Sequence, residues 1–296
     1  MCPRACGVDR SDAATGFCRT THRIFVSSIC AHRGEEPILS GDKGICNIFF
    51  AHCNLQCRYC QNHQISSNQT PLSGLERSLA GIGDEVAAIL QRGINLVGFV
   101  TPSHCLIQML SIMDEIERRG FRPRYVYNTN AYDRPEVIAE LADRIDVYLP
   151  DLKYSDDALA WEYSGAKDYV EVATGAVKEM FRQKGADIAL DNDGLITNGL
   201  IIRHLVLPGQ VTNSKHILRF IACELSTDVH ISLMSQYYPT PAVTDHPLLG
   251  RTLYQWEYDE VMEEFDRLGF HRGWVQELDS PSSYQPDFRK DHPFES

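Results

Sequence analysis

Between residues 45 and 275, short apolar runs alternate with amphipathic stretches, and this alternation constrains the fold more than anything else in the chain. The runs at 45–50, 94–100, 124–128, 145–150, 200–207 and 229–237 have the length and the β-branched and aromatic content of buried strands. The stretches at 76–92, 105–119, 135–142, 169–184, 214–224 and 255–268 have helical periodicity, several ended by glycine and one opened by Pro135. Strands that alternate with helices form parallel βα units. Six such units, or seven with a short strand near Trp274, predict a partial (β/α)6 TIM-like barrel over 45–280. Residues 1–44 read as an irregular extension that contains Cys2, Cys6, Cys18 and Cys30. Residues 281–296 read as a polar, mobile tail, and 187–199 as an insertion with no assigned structure.

The first strand runs into Cys53, Cys57 and Cys60, a C-x3-C-x2-C spacing with Tyr59 just before the last cysteine. Three thiols within eight residues can converge on one inorganic object. Three thiolates are one short of closing a four-iron cluster or a tetrahedral zinc, so one metal position stays open. A structural zinc would take its fourth ligand from His52 or His63. Position argues against zinc, because zinc loops staple small strand-poor modules and this one opens a β/α array. A second group, Cys2, Cys6 and Cys18, is a weaker metal pattern, balanced between a site and buried or reactive thiols. Cys105 and Cys223 fall in apolar helical patterns and read as core residues.

In β/α arrays reactive groups gather where the strands end. The second exit carries Thr101 and Ser103. The third carries Asn128, Thr129 and Asn130, and the fourth Asp151 and Lys153. Arg203 and His204 lie on the fifth strand, and Gln236 ends the sixth. Each of these alone is an ordinary polar group; their recurrence at successive exits makes a candidate site. Lys153 offers a cation to an anionic group of a ligand, and the others offer polar partners. Asp151 would fix that lysine or hold a monovalent cation.

Ten cysteines in a 296-residue chain without a signal-peptide core suggest ligands and buried thiols rather than a disulfide scaffold. No apolar run reaches membrane-spanning length, so no membrane partner and a cytoplasmic location are expected. A formal net charge of −12, with no Lys/Arg-rich block, turns the reading away from nucleic acid.

The cysteine loop resembles that of the radical S-adenosylmethionine (radical SAM) enzymes. NTN at 128–130, DLK at 151–153 and RHLVLPG at 203–209 are similar to motifs of glycyl-radical-enzyme activases. With EEPILSG, CQNHQIS, NLVGFVTPSH, YNTNAYD, YLPDLKY, LMSQYYP and the CPR-x-C opening, they resemble the PflX-like homologues of pyruvate formate-lyase activating enzyme. The resemblance spans about residues 44–240. It implies a 4Fe–4S cluster on Cys53, Cys57 and Cys60 whose open iron binds S-adenosylmethionine. It also implies an outside electron donor such as flavodoxin or ferredoxin. Reductive cleavage would then yield methionine and a 5′-deoxyadenosyl radical that abstracts hydrogen from a substrate. That substrate would be a glycine of a glycyl radical enzyme, or else another peptide or small molecule. The alternative from another class is a non-catalytic metal-binding or redox protein.

Two features depart from the pattern. The Gly-Gly-Glu turn of many such enzymes is replaced by Thr101-Pro102-Ser103, leaving backbone carbonyls and two hydroxyls as substitutes. Relatives carry an extra cysteine just before CPR-x-C, so the expectation is a late start or a lost ligand.

Overall fold

The structure is a computed structural model and describes residues 2–11, 16–278, 286–290 and 293–294. Strand β1 (Val26–His32) and the short helix α1 (Pro37–Ser40) precede β2 (Ile45–Phe50), the strand that feeds the cysteine loop. There follow α2 (His63–Ser66), α3 (Leu79–Leu90), β3 (Leu96–Val100), α4 (Leu106–Arg118) and β4 (Arg124–Thr129). Next come α5 (Pro135–Glu140), β5 (Val147–Pro150), α6 (Asp157–Ser164) and α7 (Tyr169–Lys184). The last third holds β6 (Ala189–Leu190), β7 (Ile196–Leu205), α8 (Val211–Glu224), β8 (His230–Met234), α9 (Gln255–Leu268) and β9 (Gly273–Val275).

Parallel pairings join β2, β3, β4, β5, β7, β8 and β9 in that order, so the upper expectation of seven strands is met. The sheet path ends at β1 and β9 without joining them. The barrel is therefore open. The helices pack outside it as neighbouring pairs, α3 on α4, α5 on α7 and α8 on α9.

Three departures from the sequence reading have plain causes. Residues 26–32 are not irregular: β1 runs antiparallel along β2, from Val26 opposite Phe50 to His32 opposite Ile45. Its burial alternates residue by residue, but the run is short and mixed in polarity. The supposed insertion is a hairpin, in which β6 pairs antiparallel with an early start of β7. Asp191 closes its turn by accepting from the Asp193 and Leu195 amides at 3.0 and 2.9 Å. Helix α6 was not anticipated, although Asp156 caps it by accepting from the Leu159 amide at 2.8 Å.

Strand alternation divides the core. Tyr125, Tyr127, Tyr148, Leu200 and Ile202 face outward into the large layer beneath the helices. Ile45, Val126, Val147, Leu149 and Ile201 face inward and form a smaller plug inside the barrel. Two side chains at 180° to each other on successive residues cannot share a surface. This rule sorts the candidate site residues below.

Cys105 is buried as expected, whereas Cys223 is exposed on α8. The tail is not simply free. Its described residues return to the barrel, where Phe288 and Phe294 pack with Phe49 and Ile65, and the Phe288 amide donates to Gln64 Oε1 at 2.7 Å.

Candidate radical SAM site

A cavity of about 420 Å³ opens at the carboxyl ends of the parallel strands and reaches down inside the barrel. Cys53, Cys57 and Cys60 all lie on its wall. Each sulfur accepts a hydrogen bond from a different element. Cys53 Sγ accepts from the Leu55 amide at 3.3 Å and from Asn130 Nδ2 at 3.4 Å. Cys57 Sγ accepts from Ser164 Oγ at 2.9 Å, at the end of α6, and Cys60 Sγ from Ser66 Oγ at 3.2 Å, at the end of α2. Burial pushes the Cys53 thiol well up, and burial followed by the neighbouring Cys57 pushes Cys60 up to about 11. Without a metal Cys53 and Cys60 are neutral thiols; ligation would remove their protons.

Among the described residues no three His, Cys, Asp or Glu groups form a cage for a single metal ion. A cubane asks for something else: one thiolate per iron, spread around one object. Three sulfurs on one wall, each with its own donor, fit that demand. His52, a possible fourth ligand for zinc, has both ring nitrogens against carbonyls, Nδ1 on Cys18 O at 2.7 Å and Nε2 on Thr70 O at 2.8 Å. His63 Nδ1 lies 3.2 Å from Cys60 O.

The loop is held from below by the N-terminal segment. Arg4 donates to Asn54 O at 2.8 Å and Gly165 O at 2.5 Å, and its guanidinium stacks 3.8 Å from the Phe17 ring centre. Cys6 Sγ accepts from the Phe17 amide at 3.3 Å, and Cys18 Sγ from Arg10 Nη2 at 3.1 Å. Burial raises the Cys2 thiol to about 11.

Of the predicted site residues, Thr101, Asn128, Asn130, Asp151, Lys153 and Gln236 reach the cavity wall. Lys153 Nζ donates to Asp151 Oδ2 at 2.7 Å. Burial works against the ammonium, but Asp151 and then Cys57 outweigh it and hold Lys153 above its ordinary value. Asn130 bridges Cys53 and Asn54, donating to Asn54 Oδ1 at 2.8 Å. The Gln236 carbonyl accepts from Gln61 Nε2 at 3.0 Å, tying the sixth exit to the cysteine loop.

Thr129, Ser103 and His204 lie elsewhere. Thr129 is out of phase with Asn128 and Asn130. It donates to Asp133 Oδ2 at 2.5 Å and lies 3.3 Å from Ser103 Oγ, behind the strands. His204 is out of phase with Arg203; it is fully buried, with Nδ1 2.7 Å from Leu152 O and Nε2 2.8 Å from Ser214 Oγ. Burial lowers it to about 4, so it is neutral near pH 7.

The sequence reading passed over several wall residues. Of the fifth-strand pair, Arg203 is in phase with the cavity and lines its wall, whereas His204 does not. Ser164 has no local signal, because only α6 brings it to Cys57, whereas Ser66 ends the CQNHQIS motif that begins at Cys60. His52, Thr101 and Ala131, at three successive strand exits, take left-handed backbone with φ of 66°, 52° and 63°. That conformation is costly for a β-branched threonine and is often met where a site dictates the turn.

The model of the radical SAM superfamily matches residues 47–220. The chain belongs to the radical SAM superfamily. A radical SAM chain of this kind is 28% identical over 271 residues to the uncharacterized protein MJ0674 of Methanocaldococcus jannaschii, covering 89% of this chain and 72% of that protein. In fold it is similar to SuiB of Streptococcus suis, solved bound to S-adenosylmethionine. There the TM-score is 0.52 at 12% identity, over 76% of this chain and 48% of SuiB. Native anSMEcpe with bound AdoMet gives 0.50 at 12% identity, over 76% of this chain and 61% of that one. The superfamily implies an enzyme that uses an iron–sulfur cluster and S-adenosylmethionine. Among the described residues no helix is long and apolar enough to cross a membrane.

Proposed function

We propose that Cys53, Cys57 and Cys60 hold a 4Fe–4S cluster and that the cavity beside them takes S-adenosylmethionine together with a segment of substrate. The observation that carries this reading is the shared wall: three sulfurs, the Asp151–Lys153 pair and Asn130 face one space. When bound, the cluster and cofactor would supply one-electron cleavage of the sulfonium and removal of a hydrogen atom from the substrate. The chain's own residues do the rest. Lys153 would pair with the cofactor carboxylate, Thr101 and Asn128 would meet its polar groups, and Ser66, Ser164 and Asn130 would tune the cluster through its thiolates. A monovalent cation at Asp151 would share that carboxylate with Lys153.

The activase-like motifs favour a peptide loop as substrate, with a glycyl radical enzyme as its source. SuiB, of the same fold, has also been solved bound to its precursor peptide SuiA. An external flavodoxin or ferredoxin would deliver the electron, and a reducing cytoplasm suits such a cluster. The test is anaerobic reconstitution. Wild type should bind about four irons and four sulfides and form 5′-deoxyadenosine from S-adenosylmethionine with a reductant. Changing Cys53, Cys57 and Cys60 together to Ala should abolish both. Zinc in place of iron, or a cluster with no cofactor cleavage, would return the chain to a metal-binding or redox role.

A further inference from the structure

Next to the Asp151–Lys153 pair, the cavity wall carries a cluster that the reading above does not use, centred on Arg203, the ladder partner of Asp151. His32 closes β1 opposite Ile45, the first residue of β2, whereas the cysteines follow the last. The length of β2 alone puts about 17 Å between the two ends. From the inward face of β7, Arg203 Nε donates to Glu36 Oε1 at 2.8 Å, and its Nη2 donates to both Glu35 Oε2 and Glu36 Oε2. Asn47 Nδ2 donates to Glu35 Oε1 at 2.7 Å. Gly98 leaves room for that asparagine, since a Cβ there would sit 2.2 Å from Asn47 Oδ1.

We propose that this side-chain cluster is a recognition site for a cationic nitrogen group, an ammonium or guanidinium, on the substrate. Calling the ligand a substrate rests on the catalytic reading above; the site itself rests on three observations. Two carboxylates meet one guanidinium, and among the described residues the only other charged pair on the wall, Asp151 with Lys153, is neutral overall. One negative charge is thus in surplus in a buried place, where it is screened little. Arg203 holds Glu35 ionised despite the burial that opposes it. An incoming carboxylate would find the guanidinium already engaged and would face two carboxylates.

The second observation is His32, which is 9% exposed, lies on the cavity wall and has a buried Nδ1 with no hydrogen-bond partner among the described residues. Burial lowers its pKa, so it meets a ligand as a neutral imidazole. A buried, unpaired ring nitrogen costs stability unless something completes it. The third is the aromatic surround of Phe49 and Trp274 on the same wall, whose ring faces attract cations.

The test is calorimetric titration of the full-length, cluster-loaded protein saturated with S-adenosylmethionine. The probes are n-butylammonium and n-butylguanidinium, beside n-butanol and butyrate. The cationic probes should bind at least about tenfold more tightly than n-butanol, and butyrate more weakly still. Glu35→Gln, which removes the surplus charge, should shrink that preference to within about threefold, and His32→Leu should weaken the cations. Equal binding of cation and alcohol by wild type overturns the site without needing any variant. So does displacement of S-adenosylmethionine by the probes, which would assign the site to the cofactor. Cofactor cleavage measured on the same preparation reports on the catalytic reading separately. Selectivity without cleavage would end that reading and leave the site standing.

Discussion

Lys153 and Asp151 share the cavity wall with the cysteines, and Lys153 stands close enough to Cys57 and Cys60 to feel them electrostatically. Had the pair pointed into bulk solvent, removing the lysine would change almost nothing. Inside the cavity, a charge-assisted bond from Lys153 to the cofactor carboxylate is worth about 1.5–3 kcal/mol. Lys153→Ala should therefore weaken S-adenosylmethionine binding by about 10- to 150-fold while iron content stays at the wild-type level. Asp151→Asn should weaken binding in the same direction by loosening the lysine. Anaerobic equilibrium binding checks both, and unchanged affinity in the two variants would detach the pair from the cofactor. At this scale much of the site was legible in the sequence. Thr101, Asn128, Asn130, Asp151, Lys153 and Gln236 could be named from their positions after strands. The misplacement of Thr129 and His204 was also legible, had the strand phase been followed. Neighbours in a strand face opposite ways, so Arg203 inside the barrel puts His204 outside it.

His204 and His104 act between elements rather than toward the cavity. His204 joins the exit of β5, at Leu152 O, to Ser214 on α8. His104 Nε2 meets Ala51 O at 2.9 Å, fastening the turn after β3 to the start of the cysteine loop. Burial lowers both to about 4 from an ordinary 6.5. In the unfolded chain each would take up a proton as the pH falls below 6.5, while the folded chain resists until about 4. Their contribution is therefore complete above pH 6.5 and is lost as pH falls toward 4, by at most about 1.4 kcal/mol per pH unit for each group. Urea unfolding between pH 7 and 4.5 should show the decline, and His204→Asn should make it shallower. A slope identical in wild type and variant would show that His204 does not titrate in this way. The N-terminal segment is a second fastener. Arg4→Met keeps much of the packing on Phe17 but removes one donor to the loop at Asn54 O and one to Gly165 O after α6, so a chelator should strip iron about tenfold faster. Wild-type release rates would mean that the loop holds itself.

For the molecule as a whole, the open barrel leaves one side between β1 and β9 to be covered by other means. Phe288 and Phe294 lie there against Phe49, with ring centres 5.2 and 5.6 Å away, and Phe294 lies 4.0 Å from the His32 ring. Both are only partly buried, so changing both to Ala should cost less than two full core truncations, about 2–4 kcal/mol together. That would lower the melting temperature by about 4–12 °C in a chain of this size. A differential scan of the double variant checks it, and an unmoved transition would show that the tail contributes no stability.

The sequence by itself determined the β/α order, the open barrel and the three-cysteine loop, because periodicity and spacing are local properties carried by neighbours along the chain. It also determined which residues follow each strand. Only the tertiary structure decided which of those residues share a surface, since that depends on strand phase and on the direction of each returning helix. Ser164 reaches Cys57, and Glu35 and Glu36 reach Arg203, across long stretches of intervening chain. No periodicity records such contacts. They exist because closing the sheet around its plug leaves buried charges and sulfurs that must find partners, and the fold brings those partners from wherever the chain happens to pass.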